Sequence, residues 1–191
     1  KSIKRYYGLK TKLIYNGTDI FDHENNELKK FNFLENTKYF LAVGNTRLQK
    51  NYELLIDSFK IVSKNHNMKL LIIGALVDNF KDVKINTYEK FNIYFLGFVK
   101  NVNYYMKNAD YLCMTSKFEG MPITLLESMA NGLVPLVTPS DGITDIIHNN
   151  VNGLVSKKYS VKSYVKVLEN AMKIDPNQKD QISKNCMDIF K

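Results

Sequence analysis

The chain has 191 residues, 45% of them hydrophobic and 24% charged, with a formal net charge of +8. That size and apolar content suit one domain with a sizeable core. No apolar run is long enough for a membrane-spanning helix, no signal-peptide pattern is present, and the first residues, Lys1 to Arg5, read as the middle of something longer.

The positive charge does not by itself indicate nucleic acid. The lysines are spread along the chain and interleaved with asparagines, as on a solvated face. No stacked-aromatic nucleic-acid motif occurs, so nucleic acid is not an expected partner. Cys113 lies in an apolar run and Cys186 is far from it in sequence, so both read as reduced thiols of a cytosolic protein. His23, His66 and His148 lack metal-ligand spacing, and no metal or other cofactor is expected.

Taken in order, residues 1–36 form a lead-in segment, with a short strand at 12–15, a turn at Asn16-Gly17 and a charged loop or short helix at 22–30. Residues 37–191 then alternate strand and helix. Tyr39 to Val43 is a continuous apolar run, expected of a strand buried on both faces. A helix follows over 51–65, with Leu54, Leu55, Phe59 and Val62 on its inner face. Further strands are expected at 69–73, 92–96, 110–114 and 134–137, with an edge strand at 153–155. Helices are expected at 102–108, after Gly120, at 144–148, at 161–172 and at 178–190. Such alternation predicts an α/β fold: a Rossmann-like, doubly wound parallel sheet of about six strands flanked by helices. Ligands of such sheets bind at the carboxyl ends of the strands, near the switch point.

Three of the loops there are informative. After the first strand, Gly44 allows close approach of a phosphate to the backbone. In the same loop Lys50 can supply a cation, and Arg47 a guanidinium fork. After the third strand comes Gly97-Phe98-Val99. Read from the residues this is a plain strand-to-helix turn with Phe98 packed in the core. After the fourth strand, Glu119-Gly120-Met121-Pro122-Ile123 turns into a helix. Gly120 lets the chain turn, Pro122 suits the first helical turn, and Gly132 closes the helix. A helix N-terminus offers unpaired N–H groups and partial positive charge to an anion. Two carboxylates, Glu119 and Glu127, flank that site. Dipole attraction alone could place either one. The other reading is that each accepts hydrogen bonds from ligand hydroxyls while phosphates sit on the amides, which is what a nucleotide sugar requires.

Glu119 and Glu127 stand seven residues apart, inside Glu119-Gly120-Met121-Pro122 and Glu127-Ser128-Met129-Ala130-Asn131-Gly132. With Val134-Pro135-Leu136-Val137, the turn at Asp141 to Asp145, and Asn152-Gly153-Leu154-Val155, this resembles the E-x7-E block of retaining GT-B glycosyltransferases of family 4, the glycosyl transferases group 1. The resemblance runs from about Lys12 onward and fits the C-terminal, donor-binding half of such an enzyme. Asn16-Gly17-Thr18-Asp19 is similar to the family's NG-x-D element. Gly44 to Asn51 is similar to its VGR-x4-KN element, with Asn45 standing where the family usually has Arg. The loop Asp141-Gly142-Ile143-Thr144-Asp145 is similar to its Gly-Gly-x-x-Glu turn, with Asp141 and Asp145 as departures.

The resemblance implies a hexosyltransferase that moves a sugar from a nucleoside-diphosphate sugar to an acceptor hydroxyl, without a metal. It implies catalytic roles for Glu119, Lys50 and Arg47. It implies donor binding by Gly44, Asn45, Phe98, Val99, Gly120, Met121, Pro122, Ile123 and Glu127, with Glu127 on the ribose and the Gly97-Phe98-Val99 turn holding the nucleobase. The donor would be a UDP- or GDP-sugar. The acceptor would be a glycan or lipid-linked saccharide held by an N-terminal domain, in polysaccharide or lipopolysaccharide biosynthesis. The location implied is the cytoplasm, with peripheral attachment to the inner face of the cell membrane left open. Two other readings stay open here: a non-catalytic nucleotide-sugar binding module, and a basic interaction domain for membrane or nucleic acid.

Overall fold

The computed structural model describes residues 31–189. The expected strand at 12–15, the Asn16–Asp19 element and the charged stretch 22–30 lie outside the described residues.

Six strands pair in parallel: β1 (Lys38–Val43), β2 (Met68–Ile73), β3 (Ile93–Gly97), β4 (Tyr111–Met114), β5 (Val134–Val137) and β6 (Leu154–Val155). Their spatial order is β3-β2-β1-β4-β5-β6. The chain therefore winds outward from β1 in one direction and then restarts at β4 on its other side. The doubly wound Rossmann-like sheet is thus present, and its switch point lies between β1 and β4.

Apart from Lys38 and Lys69 the strands are apolar, because both faces of the sheet are covered. Successive side chains point to opposite faces. Phe40 and Ala42 of β1, Leu70 and Ile72 of β2, and Tyr111 and Cys113 of β4 enter one buried cluster. That cluster is covered by α1 (Tyr52–Val62) through Leu55 and Phe59 and by α4 (Val161–Lys173) through Tyr164 and Leu168. Tyr39 and Leu41, Leu71 and Ile73, and Leu112 and Met114 enter the other. It is covered by α2 (Val102–Asn108) through Tyr105 and Met106 and by α3 (Ile123–Ala130) through Leu125 and Met129. The last helix, α5 (Pro176–Asp188), bridges the layers, with Ile182 in the first cluster and Cys186 in the second. Phe31 and Phe33 join the second face, Phe33 lying 4.6 Å from the Tyr39 ring and Phe31 5.5 Å from Tyr94.

Three local differences from the sequence-based expectation have physical causes. Residues 144–148 form turns rather than a regular helix. The Asn152 side chain takes the backbone groups that a continuing helix would use: its amide donates to Ile146 O at 2.9 Å, and its oxygen accepts from His148 N at 2.7 Å. Pro122 is not in the first helical turn but caps α3 from an extended conformation. Helix α5 starts at Pro176, earlier than expected, because the Asp175 side chain accepts from Gln178 N at 3.0 Å and caps it there.

Where β1 and β2 end, the backbones touch. Gly74 has φ 142°, and a Cβ on it would fall 2.3 Å from Gly44 O. Only glycine fits both the conformation and the space. Gly74→Ala is expected to cost about 3 kcal/mol of stability, by strain and displacement of the Gly44 loop together. Denaturant unfolding measures this, and an unchanged midpoint would mean that the two loops move apart freely.

Candidate functional site

The loop after β1 is anchored before it reaches the ligand side. Asn45 Oδ1 accepts from Ala75 N at 2.9 Å, and the Thr46 hydroxyl accepts from Val77 N at 2.7 Å. Leu48 N donates to Asp78 Oδ2 at 2.8 Å. These ties fix the loop to the segment after β2. A single 3-10 turn, Leu48–Lys50, then delivers Lys50, and Asn51 exits it in the left-handed region at φ 53°, which asparagine tolerates.

The loop after β4 holds that turn from the other side of the switch point. Thr115 Oγ1 lies 2.9 Å from Lys50 O and 3.1 Å from Asn51 O, and Lys117 N donates to Gln49 O at 2.8 Å. The Lys50 side chain lies back over Gly44, where a Cβ would meet Lys50 Cε at 3.4 Å. Beneath it the Tyr52 hydroxyl donates to Gly44 O at 2.9 Å. Burial pushes that hydroxyl far above its ordinary pKa, so it stays a neutral donor. Cys113, buried beside Lys50 and Tyr52 along a narrow cavity, is likewise pushed up to about 12 and is an inert thiol.

Lys50 and Glu119 meet here. Lys50 Nζ donates to Glu119 Oε1 at 2.7 Å, and Ser116 Oγ donates to the same oxygen at 2.7 Å. The Glu119 side chain is only 10% exposed and that of Lys50 20%. Both are charge-assisted hydrogen bonds, worth about 1.5–3 kcal/mol each in such surroundings. The turn carrying Glu119 rests on the loop after β5: a Cβ on Gly142 would fall 1.9 Å from Gly120 O. Ser116 O accepts from the Thr138 hydroxyl at 2.9 Å, so strand ends β1, β4 and β5 are linked under one carboxylate.

Glu127 lies one helical turn beyond Ile123 on α3, half-buried. Its carboxyl is held above the usual range by desolvation. Pro122 gives α3 no side-chain cap, and the helix begins four residues after Glu119. Gly120 is exposed, Met121 half-buried, Pro122 buried and Ile123 half-exposed at the start of that helix.

The remaining expected residues sit as follows. Asn45 is occupied as a loop tie. Arg47 is exposed and lines a separate open cleft of about 400 Å³ with Leu48, Asp78, Lys117 and Phe118. The Arg47 carbonyl accepts from Lys50 N at 2.9 Å, but among the described residues no hydrogen bond or ion pair joins the Arg47 side chain to Lys50 or Glu119. Phe98 is not in the core, as a plain turn would have it. It is 84% exposed, while Val99 packs under it against the second face. Ser116, Thr115 and Thr138 support the site although no motif marks them, and Gly142 supports it from the turn after β5. The signals in the sequence are the hydroxyl residues Thr115, Ser116 and Thr138 just past strand ends, and the Asp141 to Asp145 turn that holds Gly142. Among the described residues no group of three or more His, Cys, Asp or Glu could hold a metal ion.

The sequence matches the glycosyl transferases group 1 over residues 23–186. The chain belongs to that family. It is 29% identical to an uncharacterised glycosyltransferase of Methanocaldococcus jannaschii, over 95% of this chain and 54% of that protein. It is 24% identical to the UDP-Gal:alpha-D-GlcNAc-diphosphoundecaprenol alpha-1,3-galactosyltransferase of Escherichia coli, over 79% of this chain and 40% of that protein. The chain spans about half the length of the curated relatives it matches. Its fold matches the solved C-terminal domain of a glycosyl transferase group 1 protein from Francisella tularensis, with a TM-score of 0.69 at 21% identity over 80% of this chain and 84% of that one. Its fold is thus the one seen in that group 1 glycosyltransferase C-terminal domain.

The Glu127 environment has a measurable consequence. A carboxyl whose pKa is raised on folding binds its proton more tightly in the native state than in the unfolded one. Its charge therefore lowers stability once the pH rises through the folded value, and that penalty is absent below the unfolded value. Glu127→Gln is expected to stabilise the fold at pH 7, and the gain should vanish toward pH 3. Thermal melts of both proteins across that range check it.

Proposed function

We propose that this chain is the donor-binding half of a retaining, family 4 glycosyltransferase of the GT-B fold. It would bind a nucleoside-diphosphate sugar for transfer of the sugar to an acceptor hydroxyl. The observation that carries the reading is the Lys50–Glu119 contact at the switch point, set beside the uncapped N-terminus of α3. A cation, a glycine floor and free amides suit a diphosphate. Two partly buried carboxylates suit the hydroxyls on either side of it.

In the reaction the bond between the anomeric carbon and the diphosphate oxygen breaks, and its electron pair leaves with the diphosphate. Lys50 and the first amides of α3 stabilise that growing charge in place, which is the electrostatic work that speeds such a step. Glu119 accepts from hydroxyls of the sugar while positive charge develops on its ring, and Glu127 accepts from the ribose. The acceptor oxygen bonds to the anomeric carbon on the same face, and its proton passes to a phosphate oxygen of the leaving group. Gly44 and Gly120 to Ile123 line the diphosphate, and the Gly97-Phe98-Val99 turn borders the base. Arg47 reaches the phosphates only if its side chain swings out of the cleft it now lines.

Residues 37–191 form the donor domain in this reading, and 1–36 lead in from an acceptor-binding N-terminal domain. A lipid-linked glycan acceptor is supported by the diphosphoundecaprenol named for the Escherichia coli relative, and other relatives are named for capsular and O-antigen synthesis. Polysaccharide or lipopolysaccharide assembly on the cytoplasmic side of the membrane, by peripheral attachment, fits those relatives and the charge of +8.

The test is thermal stability of the chain against UDP, GDP, ADP and CMP. A ligand at ~100 times its dissociation constant stabilises by about 2.7 kcal/mol. One nucleoside diphosphate is expected to shift the melting temperature, Lys50→Ala to abolish that shift and Glu127→Ala to weaken it. No shift with any nucleotide overturns the reading. Assays of sugar transfer by the chain alone should give no product. Turnover without an added N-terminal half would contradict the division of labour.

A further inference from the structure

Ser116 is buried, with 1% of its surface exposed, and its side chain has one hydrogen to give. That hydrogen goes to Glu119 Oε1 at 2.7 Å, the oxygen that Lys50 also holds. No hydrogen bond from any described residue reaches Glu119 Oε2. The carboxylate is thus loaded on one oxygen and open on the other.

We propose that Ser116 is a positioning residue that keeps Glu119 aimed at the transferred sugar when the donor arrives. The inference rests on the donor-site reading above. Lys50 has three N–H donors and must turn some of them to the diphosphate. As it does, its hold on Glu119 weakens, and Ser116 becomes the donor that remains. Buried as it is, Ser116 cannot touch the ligand itself and acts only through Glu119. Its own place is fixed from behind, because its carbonyl accepts from Thr138 Oγ1 at 2.9 Å. The Thr138 side chain is fully buried at the end of β5. Ser116 therefore matters more in the nucleotide-sugar complex than in the nucleotide complex, since only the sugar meets Glu119 Oε2.

The experiment measures affinities of the chain for UDP and UDP-glucose, and for GDP and GDP-mannose. It uses wild type, Ser116→Ala, Ser116→Thr, Glu119→Ala and the double variant Ser116→Ala/Glu119→Ala. Ser116→Ala is expected to weaken the nucleotide sugar about tenfold, the worth of one charge-assisted hydrogen bond. It should leave the matching nucleoside diphosphate within about twofold. Ser116→Thr, which keeps the hydroxyl, should restore the nucleotide-sugar affinity. In the Glu119→Ala background, Ser116→Ala should have no further effect. If the alanine variant melts at a lower temperature than wild type, Ser116→Cys, close in size with a weak donor, repeats the comparison. Equal losses for nucleotide and nucleotide sugar, or a loss that persists without Glu119, overturn the positioning role while leaving the donor site standing. Binding of neither nucleotide nor nucleotide sugar by wild type overturns the donor site, and the role of Ser116 with it.

Discussion

The contact between Lys50 and Glu119 is the constraint on which the site depends. It joins loops from two strands, β1 and β4, that are adjacent in the sheet but far apart in sequence. In a doubly wound sheet those two strand ends diverge around a crevice, and here the crevice is closed at its base by one ion pair. A partly buried pair of this kind is stable only if the remaining hydrogen-bonding capacity of both groups is met. Ser116 meets part of that demand for Glu119, and the rest is left to water or a ligand. The same arrangement that stabilises the pair therefore leaves it ready to share its charges.

The geometry around the pair is kept by close backbone approaches rather than by bulk. Gly74 lies against Gly44, and Gly142 against Gly120, at separations no side chain would permit. The first contact seats the loop that carries Lys50, and the second seats the turn that carries Glu119. Hydroxyl groups of Thr115 and Thr138 tie the same loops at strand ends where the sheet ladder has run out. Backbone approaches and hydroxyl ties thus position the loops, and the Lys50–Glu119 pair joins them across the switch point.

How much of this could be read in advance depends on the range of the interaction. The strands were legible because a sheet buried on both faces demands unbroken apolar runs, as in Phe40-Leu41-Ala42. The turn into α3 was legible because Gly120, Pro122 and the periodic Leu125, Leu126 and Met129 are local signals. The pairing of Glu119 with Lys50 was not, although both residues had been singled out, because nothing local says that two loop side chains meet. Asn45 shows the same limit: it stands where a phosphate-binding Arg is usual, but its side chain is spent on Ala75 N, thirty residues away. Gly74 carries no local sign of its role, which is visible only beside Gly44. Phe98 could locally fill the core or leave it; it directly follows β3, an edge strand of the sheet, and stands in solvent.

The most direct measurement of the central claim is a structure of the chain with UDP or GDP bound. The account predicts the diphosphate over Gly44 and against the first amides of α3. Lys50 Nζ should be turned to a phosphate oxygen, with Glu119 still held by Ser116. A diphosphate bound elsewhere, for instance in the cleft between Arg47 and Lys117 with the Lys50–Glu119 pair undisturbed, would contradict it.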